Sequence, residues 1–169
     1  MITQEFVATF ANYNVWQNES LVAAANDLDS AARDMDRGAF FGSITATFNH
    51  LLWADRIWLS RFADAPGPDQ TSAKDSAIET ANWPDFMSAR KEQDSRIQRW
   101  SVDVTDADLR KPLKWYSSVV GRQMSEPLGL CIMHMYNHQT HHRGQIHAML
   151  TAAGANPDAT DIIVMPGLH

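Results

Sequence analysis

The sequence predicts an all-α fold, a four-helix bundle with long connections. Four segments repeat apolar residues at three- and four-residue steps, the period of a helix with one buried face. Polar and Pro/Gly-rich stretches separate them. The 169 residues, 44% of them hydrophobic, suffice for one core. The expected organisation is a single domain over residues 1–169.

The first helix is expected from about Thr3 to Leu28. Phe6, Phe10, Tyr13, Trp16, Leu21 and Ala24 give its stripe, and Thr3 is a suitable N-cap. Asp27 to Gly38 is polar and reads as a connection. The second helix, about Ser43 to Phe62, carries Ile44, Phe48, Leu51, Leu52, Ile57 and Trp58 and stops before Ala65-Pro66-Gly67-Pro68. A polar loop is expected over Asp64 to Thr80. The third helix, about Trp83 to Val102, has Pro84 in its first turn. Phe86, Ala89, Arg90, Gln93, Ile97 and Trp100 form its inner stripe, and Arg90, Lys91, Glu92, Asp94, Arg96 and Arg99 read as a solvated charged face. Between Lys111 and Ser125 the run Trp115 to Val120 is β-prone and Gly121 offers a turn or bulge, so an irregular or weakly paired β excursion is expected there. The last helix is expected from about Pro127 to Ala153, stopped by Gly154. Apolar residues in the tail, Ile162 to Met165, should dock on the body.

Composition excludes several functions. With 14 basic and 20 acidic residues the net charge is −6, and no basic stripe offers itself to nucleic acid. One Cys excludes a disulfide framework and a cysteine-rich metal site. No apolar run approaches the ~20 residues that span a bilayer, and the N-terminal residues lack the pattern of a signal peptide. The expected location is cytoplasmic, with no membrane partner.

Five of the seven histidines fall between Met133 and Met149. At ~100° per residue, His134 and His142 flank His138 by ~40° on either side, and Gln145 lies ~20° away. His141 is ~60° off, and His147 is on the opposite face. Residues four apart rise ~6 Å, so either His138/His142 or His134/His138 is able to grip one ion. His134 and His142, ~12 Å apart, do not easily meet the same one. A third ligand must come from elsewhere. His50 sits among Phe48, Leu51 and Leu52, where an imidazole needs a partner, and a metal shared with the last helix would supply one. His169 is terminal and set aside. Three imidazoles leave a position open for water or substrate, and do not choose among zinc, nickel, manganese and iron. Gln139 stands where a His-Glu-x-x-His peptidase has its Glu, which argues against that chemistry.

Asn137-His138-Gln139-Thr140-His141-His142-Arg143-Gly144-Gln145 strongly resembles the helix-four motif of the DinB/YfiT-like family, whose members are grouped as metal-dependent enzymes. His50-Leu51-Leu52-Trp53-Ala54-Asp55-Arg56-Ile57-Trp58 resembles its helix-two motif, and Tyr13-Asn14-Val15-Trp16 the start of its first helix. The resemblance implies a four-helix bundle, often a homodimer, with a divalent metal on His50, His138 and His142. His134 then becomes a neighbour of the ligand stripe. Better-understood relatives are transferases and isomerases using low-molecular-weight thiols such as bacillithiol or mycothiol, and the family name implies no DNA polymerase activity.

Further expectations attach to single residues. Asp55, ~140° around the helix from His50, should pair with Arg143 or Arg56. Arg143 is alternatively a ligand for an anionic substrate group, and Gln145 a holder of water or substrate. Gly144 would permit close helix approach. Cys131 reads as a small buried hydrophobe, so reactive thiols would come from outside. Trp53, Trp58 and Trp100 read as bundle core. The expected function is a metal-dependent enzyme acting on a small molecule, the ion lowering the pKa of water for hydrolysis or of a thiol for S-transfer. The alternative is a non-catalytic, dimeric metal- or small-ligand-binding bundle connected with stress.

Overall fold

The computed structural model describes residues 2–118 and 120–168. Four long helices dominate: α1 (Gln4–Asn26), α3 (Ile44–Phe62), α4 (Trp83–Asp103) and α5 (Leu128–Ala152), with a short α2 (Ser30–Asp34) between the first two. Their ends follow local chemistry. The side chains of Thr3, Ser43 and Asn82 accept hydrogen bonds from the amides of Phe6, Ala46 and Asp85, satisfying donors that a first helical turn leaves open. Gly154 follows α5 at φ 86°, where a side chain would be strained.

Packing arranges these helices as a square in which α1 touches α4 and α5, and α3 touches α4 and α5. Pairings along their lengths fix the directions. Tyr136 Oη donates to the Val7 carbonyl and Arg143 Nη1 to Asn14 Oδ1, so α1 and α5 run parallel. Phe48 meets Phe86 while Arg90 reaches Asp55, so α3 and α4 also run parallel, opposite to the first pair. Parallel neighbours need a connection that travels back along the bundle. Residues 63–82 provide it. The segment expected to be a plain polar loop contains a 3-10 turn, Ala73–Ile78, and is tied down by buried Glu79, which accepts from Arg56 and from the amides of Asp69 and Gln70.

The β excursion is a regular antiparallel hairpin rather than an irregular one: β1 (Pro112–Ser117) pairs with β2 (Arg122–Pro127), Trp115 opposite Met124, and of the described residues in the β-prone run only Trp115 to Ser117 lie in a strand. Val119 and His169 lie outside the described residues. Three apolar clusters fill the bundle. The largest groups Leu21, Phe48, Leu52, Phe86, Ile146 and Leu150, and burying each of these side chains contributes ~1.5–3 kcal/mol. The tail docks less completely than its composition suggests: Tyr13 and Gln17 hold the carbonyls of Thr160 and Ala159 and Met165 is buried, but Ile163 and Val164 face solvent.

Charge also enters the core. Asp94 is buried rather than solvated, correcting the reading of α4, and Arg90, placed on both the inner stripe and the charged face, is buried with it. Arg90 Nη1 donates to Asp55 at 2.7 Å and Nη2 lies 2.8 Å from Asp94. Asn18 donates to Asp94, Gln139 to Asp55, Asn14 to Gln139 and Arg143 to Asn14. The result is one polar relay through all four long helices.

Candidate metal centre

His50 faces α5 from the second turn of α3, and His138 and His142 face α3 from successive turns of α5. His138 Nε2 lies 3.3 Å from His50 Nε2 and 3.1 Å from His142 Nε2. The three are the only group of three His, Cys, Asp or Glu among the described residues with ligand atoms spaced for one metal ion. With metal–nitrogen bonds of ~2.0–2.1 Å, nitrogens stand ~2.9 Å apart at right angles and ~3.3 Å apart in a tetrahedron, so the spacing suits either.

The opposite ring edges show which nitrogens are available. Ser76 Oγ donates to the Ala73 carbonyl at 2.7 Å and stands 2.8 Å from His50 Nδ1. With its proton committed, the hydroxyl accepts from Nδ1–H, leaving a lone pair on His50 Nε2. Gln145 Oε1 lies 2.8 Å from His142 Nδ1 and fixes that ring the same way. Two lone pairs therefore point at His138 Nε2, which holds at most one proton. A cation among the three nitrogens relieves this, so the donor set fits a metal.

Electrostatics keeps the rings neutral, as ligation requires. Burial, then the neighbouring His142, pushes His50 down to about 4; burial and the surrounding imidazoles push His138 down to about 3. Burial also lowers His142, against the opposing hydrogen bond to Gln145. Phe41 stacks on His50 with centroids 3.9 Å apart, bringing the segment before α3 over the site.

Other expected residues land elsewhere. Gln145 is at the site, but its carbonyl oxygen is spent on His142. Arg143 is buried on the far side of α5, bonded to Asn14 and stacked over Tyr13, beside a separate cavity of about 470 Å³. Burial pulls its guanidinium down to about 10. Asp55 pairs with Arg90, not with Arg143 or Arg56, because its direction on α3 points it at α4; Arg56 instead reaches Glu79 and Asp69 in the connection between α3 and α4. Gly144 is exposed with open space where a Cβ would stand, so no close helix approach explains it. Trp58 and Trp100 pack on the core, whereas Trp53 lies over His50 and donates to the Gln70 carbonyl. Cys131 is buried, 3% exposed. His134 and His141 are exposed neighbours, their rings 6.0 Å from His138 and 4.8 Å from His142. Sequence reasoning misses Ser76 and Phe41. Both lie in connections, and only the partner that the His50 imidazole needs among apolar neighbours hints at the first.

The fold and site define a class: a helical bundle with a three-histidine cluster spaced for a metal ion between two of its helices. The DinB family profile matches residues 1–166, and the chain belongs to that family. It is similar to Protein DinB of Bacillus subtilis (strain 168), with 24% identity over 158 residues, 93% of this chain and 91% of that one. A crystal structure of a DinB-like protein from Bacillus cereus ATCC 10987 shares the fold, with TM-score 0.52, 23% identity, and coverage of 86% of this chain and 91% of that one. No described helix is long and apolar enough to cross a membrane.

Proposed function

We propose that the chain is a divalent-metal-dependent enzyme acting on a small molecule, with His50, His138 and His142 as ligands. The carrying observation is the convergence of three Nε2 atoms at 3.1 and 3.3 Å while Ser76 and Gln145 hold the far edges of two rings. Zinc, nickel, manganese and iron all suit three imidazole nitrogens. A bound ion would act there as a Lewis acid, lowering the pKa of a coordinated water or thiol. Three protein ligands leave a position free, and His50 and His138 are only partly buried, which supports catalysis over a sealed structural role.

Hydrolysis and thiol S-transfer both fit this chemistry. For the second, the thiol comes from outside, since Cys131 is enclosed and burial pushes its pKa up. Metal-loaded protein assayed against ester and amide substrates, and against electrophiles with a panel of low-molecular-weight thiols, tests the reading. Turnover abolished in His138→Ala supports it; turnover equal in wild type and His138→Ala contradicts it. A homodimer belongs to the same proposal, and light scattering of the purified protein tests it.

A further inference from the structure

The seam between α3 and α5 carries a second chemistry-bearing group away from the imidazoles. Arg61 stands eleven residues after His50 on α3, and Cys131 eleven residues before His142 on α5. Eleven residues return a helix to within about 20° of its starting direction and advance it by about 16 Å. The two antiparallel helices thus present one seam with histidines at one end and Arg61 at the other. Its stacking on Trp58, whose ring meets His134 of α5, places it at that seam.

Aromatic rings join the two ends. The Arg61 guanidinium carbon lies 4.6 Å from the Trp58 ring centroid and 5.7 Å from that of Trp115 on β1. Trp58 meets His134 at 5.1 Å, and His134 meets His138 at 6.0 Å. A guanidinium stacked on indoles keeps the donors at its planar edge free for a carboxylate or phosphate. Arg56, Arg90 and Arg96 spend theirs on carboxylates, whereas Arg61 forms no ion pair among the described residues. Glu126 acts on Cys131 from the hairpin but makes no ion pair with Arg61.

We propose that Arg61 binds the anionic end of the substrate on which the metal centre acts. That substrate is an elongated small molecule: a reacting group at the imidazoles, an apolar or unsaturated middle against Trp58, and a carboxylate or phosphate about 10–15 Å from the reacting end. This inference rests on the metal-centre reading above.

Its test is a molecular ruler. Cobalt(II)-loaded protein is titrated with ω-mercaptoalkanoates of increasing length and with ω-mercaptoalkylphosphonates and ω-mercaptoalcohols of matching lengths. Thiolate-to-cobalt absorption gives each Kd. One or both anionic series should bind tightest at a chain spanning about 10–15 Å, at least roughly tenfold tighter than the matching alcohol, as a charge-assisted bond implies. The series with the larger advantage identifies the anion. Arg61→Met keeps an unbranched side chain on Trp58 and should erase the advantage, bringing the anions to the affinity of the matching alcohols in the same variant. Equal affinity of anions and alcohols at every length in the wild type overturns the proposal without any variant, as does an advantage that survives Arg61→Met. Failure of the metal-centre reading shows separately, as absence of the thiolate–cobalt band with every thiol, and removes this proposal with it.

Discussion

Replacing Ser76 with alanine probes how the centre is held together. Ser76 is 0% exposed and touches His50 only at Nδ1, the ring edge away from the other imidazoles. Alanine deletes the acceptor and leaves a buried N–H with no water to replace it, a cost of ~1–3 kcal/mol. It also releases the ring from the tautomer that directs the Nε2 lone pair at the ion. Outer partners of metal-bound histidines typically contribute 10- to 100-fold in affinity, about 1.4–2.7 kcal/mol, which matches the loss of that one bond. Competition with a colorimetric chelator, at a pH where the rings are neutral, should therefore show zinc binding about 10- to 100-fold weaker in Ser76→Ala. Gln145→Ala should weaken binding less, because Gln145 is only partly buried and water can take its place beside His142. Zinc affinity within twofold of wild type in a folded Ser76→Ala protein would refute the argument from tautomer control.

Asp55→Ala should destabilise the protein by about 1–3 kcal/mol in urea unfolding, because it leaves the buried Gln139 amide without its acceptor and Arg90 held by Asp94 alone; unchanged stability would contradict this. Arg143→Met should cost about 1–3 kcal/mol by orphaning Asn14 Oδ1 and leave zinc affinity unchanged, whereas a drop in affinity would tie Arg143 to the site. Metal-free protein should lose stability as the pH falls from about 6.5 towards 4. His50 and His138 stay neutral in the fold while their unfolded counterparts take up protons, so the unfolded state binds more protons in that window. Asp94, raised to about 6 by burial, opposes this below pH 6, so His138→Ala should flatten the acid limb of a melting-temperature profile.

The fold is largely legible in the sequence because its helices end where local chemistry ends them. Thr3, Pro84 and Gly154 mark boundaries by their own hydrogen-bonding and backbone preferences; Trp115 and Tyr116 signal extended backbone and Gly121 a turn, but the regular pairing of Pro112–Ser117 with Arg122–Pro127 has no comparable signal in polar β2. Periodicity says which face of a helix is buried but not which way its neighbour runs, so the parallel pairing of α3 with α4 is invisible in it. The inward turn of Asp94 is hidden for a related reason. Periodicity puts Arg90 on the inner stripe, but Asp94 looks like its surface partner until Asn18 is brought opposite. At the site, four-residue spacing allows both His134/His138 and His138/His142, and resemblance to the family singles out the second. The structure brings that pair to His50 and leaves His134 beside it. Ser76 has no periodic signature, since its position depends on how the α3–α4 connection folds back.

Elemental analysis of protein purified without chelator, followed by titration of stripped protein with zinc and nickel, tests the central claim most directly. The arrangement of His50, His138 and His142 predicts one divalent ion per chain, a rise in melting temperature on metal addition, and loss of both in His138→Ala. Wild-type protein that carries no metal, and whose stability zinc and nickel leave unchanged, would contradict it.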